Sequence, residues 1–279
     1  MNSRTFPATL CGASPGLRLG RRLIVPNTTW SRSGIRATFN LRLILAATLL
    51  SAASLPASGQ TAEQWIARAR ARLGSESALQ ALTSIRYTGT LEVDGANQRS
   101  LDIVFQKPLQ QRITLTGAEI VEVIALDDYD AWQKRLNPKN PTQWQLTLVD
   151  AAQTKRLRAQ TWDNLNFFSG IEKMRGSVRV DGDSTVDGVA CVKLVFTYLP
   201  NMVLTRYLDK STARLVKTET ESGTEIREEG EIFTNGIRFP RKVTNRDKGG
   251  RATTMIFEQV ILNEAHATGE FAVPALREN

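Results

Sequence analysis

Between residues 203 and 262 the sequence is a succession of short apolar-bearing runs cut by turn residues: 209–213, Ser222-Gly223, Asn235-Gly236 and 247–250. Asn-Gly between two such runs is a strong hairpin signal, because a type I′ turn needs two residues that tolerate positive φ. Links this short leave no room for a crossover helix, so each run must pair antiparallel with its neighbour in order. The stretch predicts an uninterrupted meander, and with it a large, strongly curved antiparallel sheet.

The front of the chain reads differently. Residues 41–53 form an apolar core preceded by arginines and followed by Ala57-Ser58-Gly59, small residues of the kind signal peptidase reads. The core is too short for a comfortable membrane span. Residues 1–59 are therefore expected to be an export signal region cleaved before Gln60, leaving residues 60–279 as one exported domain. The signal region holds seven arginines and no acid, so the net charge of +8 falls to +1 without it. A nucleic-acid partner loses its support with that charge. Cys191 is then the one cysteine left, which rules out an internal disulfide, and Gln60 at the cleavage site is not the cysteine a lipid anchor needs.

Thr61 and Gln64 make a capping box, and Trp65, Ile66, Ala69 and Leu73 share one helical face up to Gly74. Ser75 caps a second short helix. Strand candidates follow at 85–93, 101–107, 111–116 and 119–126. Trp132 and Trp144 then flank a turn broken by Pro138 and Pro141, and a further strand is expected at 143–149. From 151 to 169 the period shifts to helical, with Asp150 as cap, Gly170 as stop, and Leu157, Trp162, Leu165 and Phe168 as a stripe joined by Phe167. Strands resume at 177–180 and 190–198. The sum is an α+β chain: a strongly curved antiparallel half-barrel of about eleven strands closed by helices, the central helix covering its apolar mouth.

Ordinary structure accounts for the chemical groups that stand out. Asp127, Asp128 and Asp130 read as turn aspartates. His266, the sole histidine, reads as an exposed tail residue, and Cys191 as a small packed one. Glu225, Glu228, Glu229 and Glu231 read as cross-strand partners of Arg227, Arg238, Arg241 and Lys242. With no catalytic or metal-binding constellation, neither an enzyme nor a cofactor is expected.

The order of elements and several local patterns resemble the periplasmic lipoprotein-carrier fold of the LolA and LolB type. Residues 102–108 look like a family strand ending in a basic residue and proline. Residues 127–133 with Asn137-Pro138, Tyr207-Leu208-Asp209, 235–240, Leu262-Asn263 and 271–274 are similar to further family signatures. The resemblance implies a soluble periplasmic carrier for a lipid, acyl chain or lipidated protein, in lipoprotein sorting or envelope maintenance. It also implies an arginine latch holding the lid helix. Here Lys107 stands in that place, without the planar fork of a guanidinium.

The expected ligand-binding residues are Phe105, Lys107, Trp132, Trp144, Trp162, Phe167, Phe168, Phe196, Met202 and Phe257. The alternative reading is a non-enzymatic module that binds or senses an envelope protein partner. A monomer is expected in both.

Overall fold

The computed structural model describes residues 59–198, 202–267 and 269–275, so the export region up to residue 58 falls outside the described residues. Two helices come first, α1 (Ala62–Leu73) and α2 (Glu76–Gln80). Thr61 and Gln64 form the reciprocal capping box at the start of α1, and the Ser75 hydroxyl caps α2. Six strands follow: β1 (Ser84–Val93), β2 (Ala96–Gln106), β3 (Gln110–Thr116), β4 (Val121–Asp127), β5 (Asp130–Asn137) and β6 (Asn140–Leu148). After the long helix α3 (Ala151–Asn166) and a 3-10 turn (Ile171–Met174) come β7 (Ser177–Val186), β8 (Val189–Tyr198), β9 (Met202–Asp209), β10 (Leu215–Thr220) and β11 (Glu225–Glu229). The last are β12 (Ile232–Thr234), β13 (Ile237–Phe239), β14 (Lys242–Arg246) and β15 (Ala252–Leu262). Among these residues no helix is long and apolar enough to cross a membrane.

Thirteen strands form one open antiparallel sheet in the order β6-β5-β4-β3-β2-β1-β15-β14-β11-β10-β9-β8-β7. The expected count of about eleven is too low, for two physical reasons. Residues 130–137 are a full strand paired with both β4 and β6, and Pro141 sits inside β6 because β6 is an edge, where a missing N–H costs no ladder bond. The meander is also interrupted. Gly230, at φ 65°, and Pro240 stop the runs on either side of Asn235-Gly236, so β12 and β13 leave the sheet as a separate two-stranded ribbon while β11 pairs with β14.

The ribbon turns its apolar residues onto the concave face, where Ile237 and Phe239 are buried with Tyr87, Phe105 and Phe257. The end of α1 rests on it so closely that a Cβ at Gly74 would lie 2.8 Å from the Gly236 carbonyl oxygen. β1 joins the two halves of the sheet by pairing with β2 and β15, and its burial alternates, with Ile85, Tyr87 and Leu91 inward. Since β6 and β7 are the two free edges, the connection between them, α3, has to run from one rim of the half-barrel to the other.

β1 and β15 press together at Gly89, where their register shifts and an added Cβ would meet the Ile256 carbonyl oxygen at 2.0 Å. Backbone cannot yield as a flexible side chain can. Gly89→Ala is expected to destabilise by about 1 to 3 kcal/mol and lower the melting temperature by several degrees in a thermal scan. An unchanged melting temperature would mean that β15 does not press on β1 here.

Candidate functional site

A cavity of about 320 Å³ lies between the concave sheet face, the ribbon and α3. Its two walls differ. On the side of β1, β2, β3 and β15 it is lined by Tyr87, Leu101, Phe105, Leu115, Met255 and Phe257, with Phe239 from the ribbon. On the side of β9, β10, β11 and β14 the wall carries Arg206, Thr218, Glu228 and Asn245. Ligand pockets are typically about 300 to 1,000 Å³ and mostly apolar with a few placed polar groups, a description this cavity meets at the small end.

The central helix presents Arg156, Gln160, Asp163 and Asn164 to the cavity, while Leu157 and Leu165 pack into the core. Its ends and middle are tied to both halves of the sheet. On one side the Thr161 hydroxyl donates to Gln111 Oε1 at 2.9 Å with both residues fully buried, and Arg158 pairs with Asp128 and stacks on Tyr129. On the other, Asp163 accepts from Tyr198 at 2.8 Å and from the buried Arg206, and Arg156 pairs with Glu221. Burial and the neighbouring Asp163 push the Tyr198 phenol well above its ordinary value, so Tyr198 stays a donor.

The helix exit is held by Arg70 of α1. Its Nη1 donates to the carbonyl oxygens of Asn166 at 2.5 Å and Phe167 at 2.9 Å and to the Ser169 hydroxyl at 3.0 Å. Glu76 receives its Nε and Nη2 at 3.0 and 2.7 Å. A planar guanidinium thereby satisfies carbonyls that the end of a helix leaves without partners. It also explains why the helix ends at Asn166, short of Gly170: Phe167 and Phe168 both sit at positive φ, 47° and 71°, a conformation costly for bulky residues.

Glu228 differs from every other charged group on the wall. Its side chain lines the cavity and is exposed, and among the described residues that side chain has no hydrogen-bond or ion-pair partner. Desolvation raises its pKa above the ordinary 4.5; the Arg206 charge opposes the shift and Asp163 adds to it. Three of the basic residues expected to pair with the strand's glutamates go elsewhere, Arg238 to Glu231, Lys242 to Glu229, and Arg227 to Glu225 and Asp187.

No family model and no curated protein matches the chain. Solved structures do. It is similar to a DUF1329 family protein from Desulfovibrio piger, at TM-score 0.51 and 10% identity over 75% of this chain and 96% of that one. It is similar also to a LolA superfamily protein from Nitrosomonas europaea, at TM-score 0.50 and 14% identity over 74% of this chain and 96% of that one. The fold is LolA-like.

Within this LolA-like half-barrel the ten residues expected to bind ligand divide evenly. Phe105, Phe167, Phe168, Met202 and Phe257 line the cavity. Phe196 is buried just behind it, its ring against the Arg206 guanidinium at 4.3 Å. Trp162 packs at the helix exit and donates to the Ser169 carbonyl oxygen at 3.2 Å. Trp132 is buried in a different cluster with Val123 and Ala125 and donates to the Phe271 carbonyl oxygen at 2.8 Å. Trp144 lies on the edge strand β6, 38% exposed, under Lys134. Among the described residues Lys107 reaches the Gln80 carbonyl oxygen, at 3.5 Å, while the end of α3 is held by Arg70. Burial, with Arg70 and Lys173 nearby, pulls the Lys107 pKa down.

Two further expectations are settled. His266 is not an exposed tail residue: its side chain is 5% exposed, bonds Glu270 at 3.1 Å and meets the Phe271 ring edge-on, because the C-terminal segment folds back on the sheet. Cys191 is a packed residue, fully buried beside Tyr207 and Val216. Among the described residues no group of His, Cys, Asp and Glu is placed to hold a metal ion.

Arg70→Ala is expected to cost about 2 to 4 kcal/mol, because Glu76 and the helix-end carbonyls lose their donor together. The melting temperature should fall and binding of a hydrophobic dye rise, with Arg70→Lys restoring only part of either. If Arg70→Ala moves neither reading, Arg70 does not hold the helix.

Glu228 generates a pH test. For a carboxyl with a raised folded-state pKa, the folded state binds the extra proton, so the associated stability is present below about pH 4.5 and lost as pH rises through the elevated value. Glu228→Gln should therefore melt higher than the parent at neutral pH, with the gap closing as pH falls toward 4.5. A gap independent of pH would contradict the desolvated carboxylate.

Proposed function

We propose that the protein is a periplasmic carrier or binding protein that holds a lipid, an acyl chain or the acyl part of a lipidated protein in the cavity under α3. The observation that carries this reading is an apolar pocket wall beneath a helix that combines the buried Leu157, Ala159 and Leu165 with polar attachments to both halves of the sheet. The exposed ones among these attachments, Arg156 to Glu221 and Arg158 to Asp128, can be exchanged for water one at a time. The LolA-like fold supports the reading, and the export signal expected in residues 1–59 supports a periplasmic location.

A protein partner in the envelope is the second reading, favoured by Trp144 and the 68% exposed Leu148 on β6. The edges themselves are poor templates for strand addition. β6 carries Pro141, and β7 carries a register shift between Val180 and Asp183 at Gly182, φ 91°. A partner would dock on side chains.

Native mass spectrometry of the protein recovered without detergent from an expressing bacterium tests the first reading. The expected result is an adduct of lipid mass that is displaced by a fluorescent fatty acid. Leu101→Trp, which puts bulk into the cavity, should reduce that uptake. A ligand-free mass with no uptake of the probe would overturn the carrier function.

A further inference from the structure

Two side chains on the polar half of the cavity wall are buried and have nothing to bond. Thr218 on β10 and Asn245 on β14 line the cavity at 5% and 9% exposure, and among the described residues neither the Thr218 hydroxyl nor the Asn245 amide has a hydrogen-bond partner. Buried polar side chains are as a rule hydrogen-bonded, so an exception on a cavity wall points to a partner that the chain does not supply.

The register puts both on one face of the sheet: Arg206 opposes Thr218, Thr218 opposes Ile226, and Ile226 opposes Asn245. With strands spaced about 4.8 Å, Thr218 and Asn245 stand roughly 10 Å apart across the cavity floor. From the opposite side α3 adds Gln160 and Asn164, one turn apart and both uncharged.

Charge does not select the ligand. Three arginines and three carboxylates line the cavity. Arg156 pairs with Glu221, Arg206 with Asp163, and Arg238 with Glu231. The Arg206 charge also offsets that of Glu228. Arg206 Nε and Nη1 lack partners, but both atoms are enclosed by protein. A charged head of either sign would therefore give up its water without gaining a counter-charge of its own. An uncharged head gives up less, and it meets a hydroxyl and a carboxamide that each donate and accept.

We propose that the cavity takes a single-chain amphiphile with an uncharged head that both donates and accepts hydrogen bonds, the head meeting Thr218 and Asn245 and the chain lying on the apolar wall of β1, β2 and β3. The proposal rests on the carrier reading and narrows its ligand class. The separation of the two side chains calls for a head with more than one polar group, and a volume of about 320 Å³ suits one chain better than several.

Equilibrium displacement of a fluorescent apolar dye at neutral pH tests it, with submicellar 1-decanoylglycerol, N-decanoylglycinamide, methyl decanoate, decanoate and decylamine as competitors. The first two carry uncharged heads with several donors and acceptors. At least one of them should bind about tenfold or more tighter than methyl decanoate, which has no donor, and than either charged probe. The tighter of the two tells a glycerol head from an amide head. In the double variant Thr218→Val, Asn245→Leu that advantage should vanish while methyl decanoate binds as in the parent. The variant should also melt no lower than the parent, because apolar groups replace polar ones that lack partners. A lower melting temperature would mean that the protein itself satisfies the two groups, and would overturn the site. Equal binding of methyl decanoate and the uncharged donor heads, or a preference for decanoate or decylamine, would overturn the site as well and leave the carrier reading standing. Failure of every probe to displace the dye would overturn both.

Discussion

Asp163 takes a hydrogen bond from Tyr198 and an ion pair from Arg206, and with those two contacts one helix is fastened to the half of the sheet that lies far from its other supports. The opposite flank is fastened by Thr161 to Gln111. Everything concave in the molecule depends on this bridge, because the connection from β6 to β7 has to span the open side of a thirteen-stranded sheet. Buried ion pairs are weak sources of net stability, since desolvation offsets most of their Coulombic gain, but they are strict about geometry. Asp163 and Arg206 set where α3 lies; Leu157 and Leu165 supply the apolar burial that keeps it there.

Much of this architecture is written in short-range signals. The capping box at Thr61, the cap at Asp150 and the turns at Asp187-Gly188 and Asn235-Gly236 appear where local chemistry demands them, because each depends on a few adjacent residues. Departures arise where a residue's meaning depends on strand position. Pro141 reads as a breaker until β6 proves to be an edge. Gly230 and Pro240 look like ordinary interruptions of a meander, yet together they release the ribbon that delivers Ile237 and Phe239 to the core.

The site was legible to a smaller degree, and the reason is again range. Aromatic residues were a fair guide to apolar surface, but apolar surface exists on both faces of a sheet, so Trp132 and Phe105 look alike in sequence and lie in different clusters. Arg70 and Glu228 were missed for a shared reason: charged residues default to solvent. Both carried a periodic signal. Arg70 follows Ile66 at helical spacing, next to Ala69 and within the apolar face of α1. Glu228 stands two residues from Ile226 in a strand, hence on the same face, whereas Glu225, Arg227 and Glu229 share the other.

Lys107 does not hold the end of α3; Arg70 does. The end of a helix needs its terminal carbonyls satisfied by a group that reaches several acceptors at once, which an ammonium on a flexible stem does poorly. In this chain α1 brings Arg70 to that point, and Glu76 holds the guanidinium from its other edge. These contacts tie α3 to the amino-terminal helices, not to the β2–β3 turn. Any movement of α1 off the ribbon would loosen the helix exit as well, so the elements closing the cavity form a linked set: α1 lies against Gly236 of the ribbon, and its Arg70 grips the end of α3. The same linkage sets the cavity boundary at Phe167 and Phe168, whose strained backbone is kept in place by the Arg70 contacts at the helix exit.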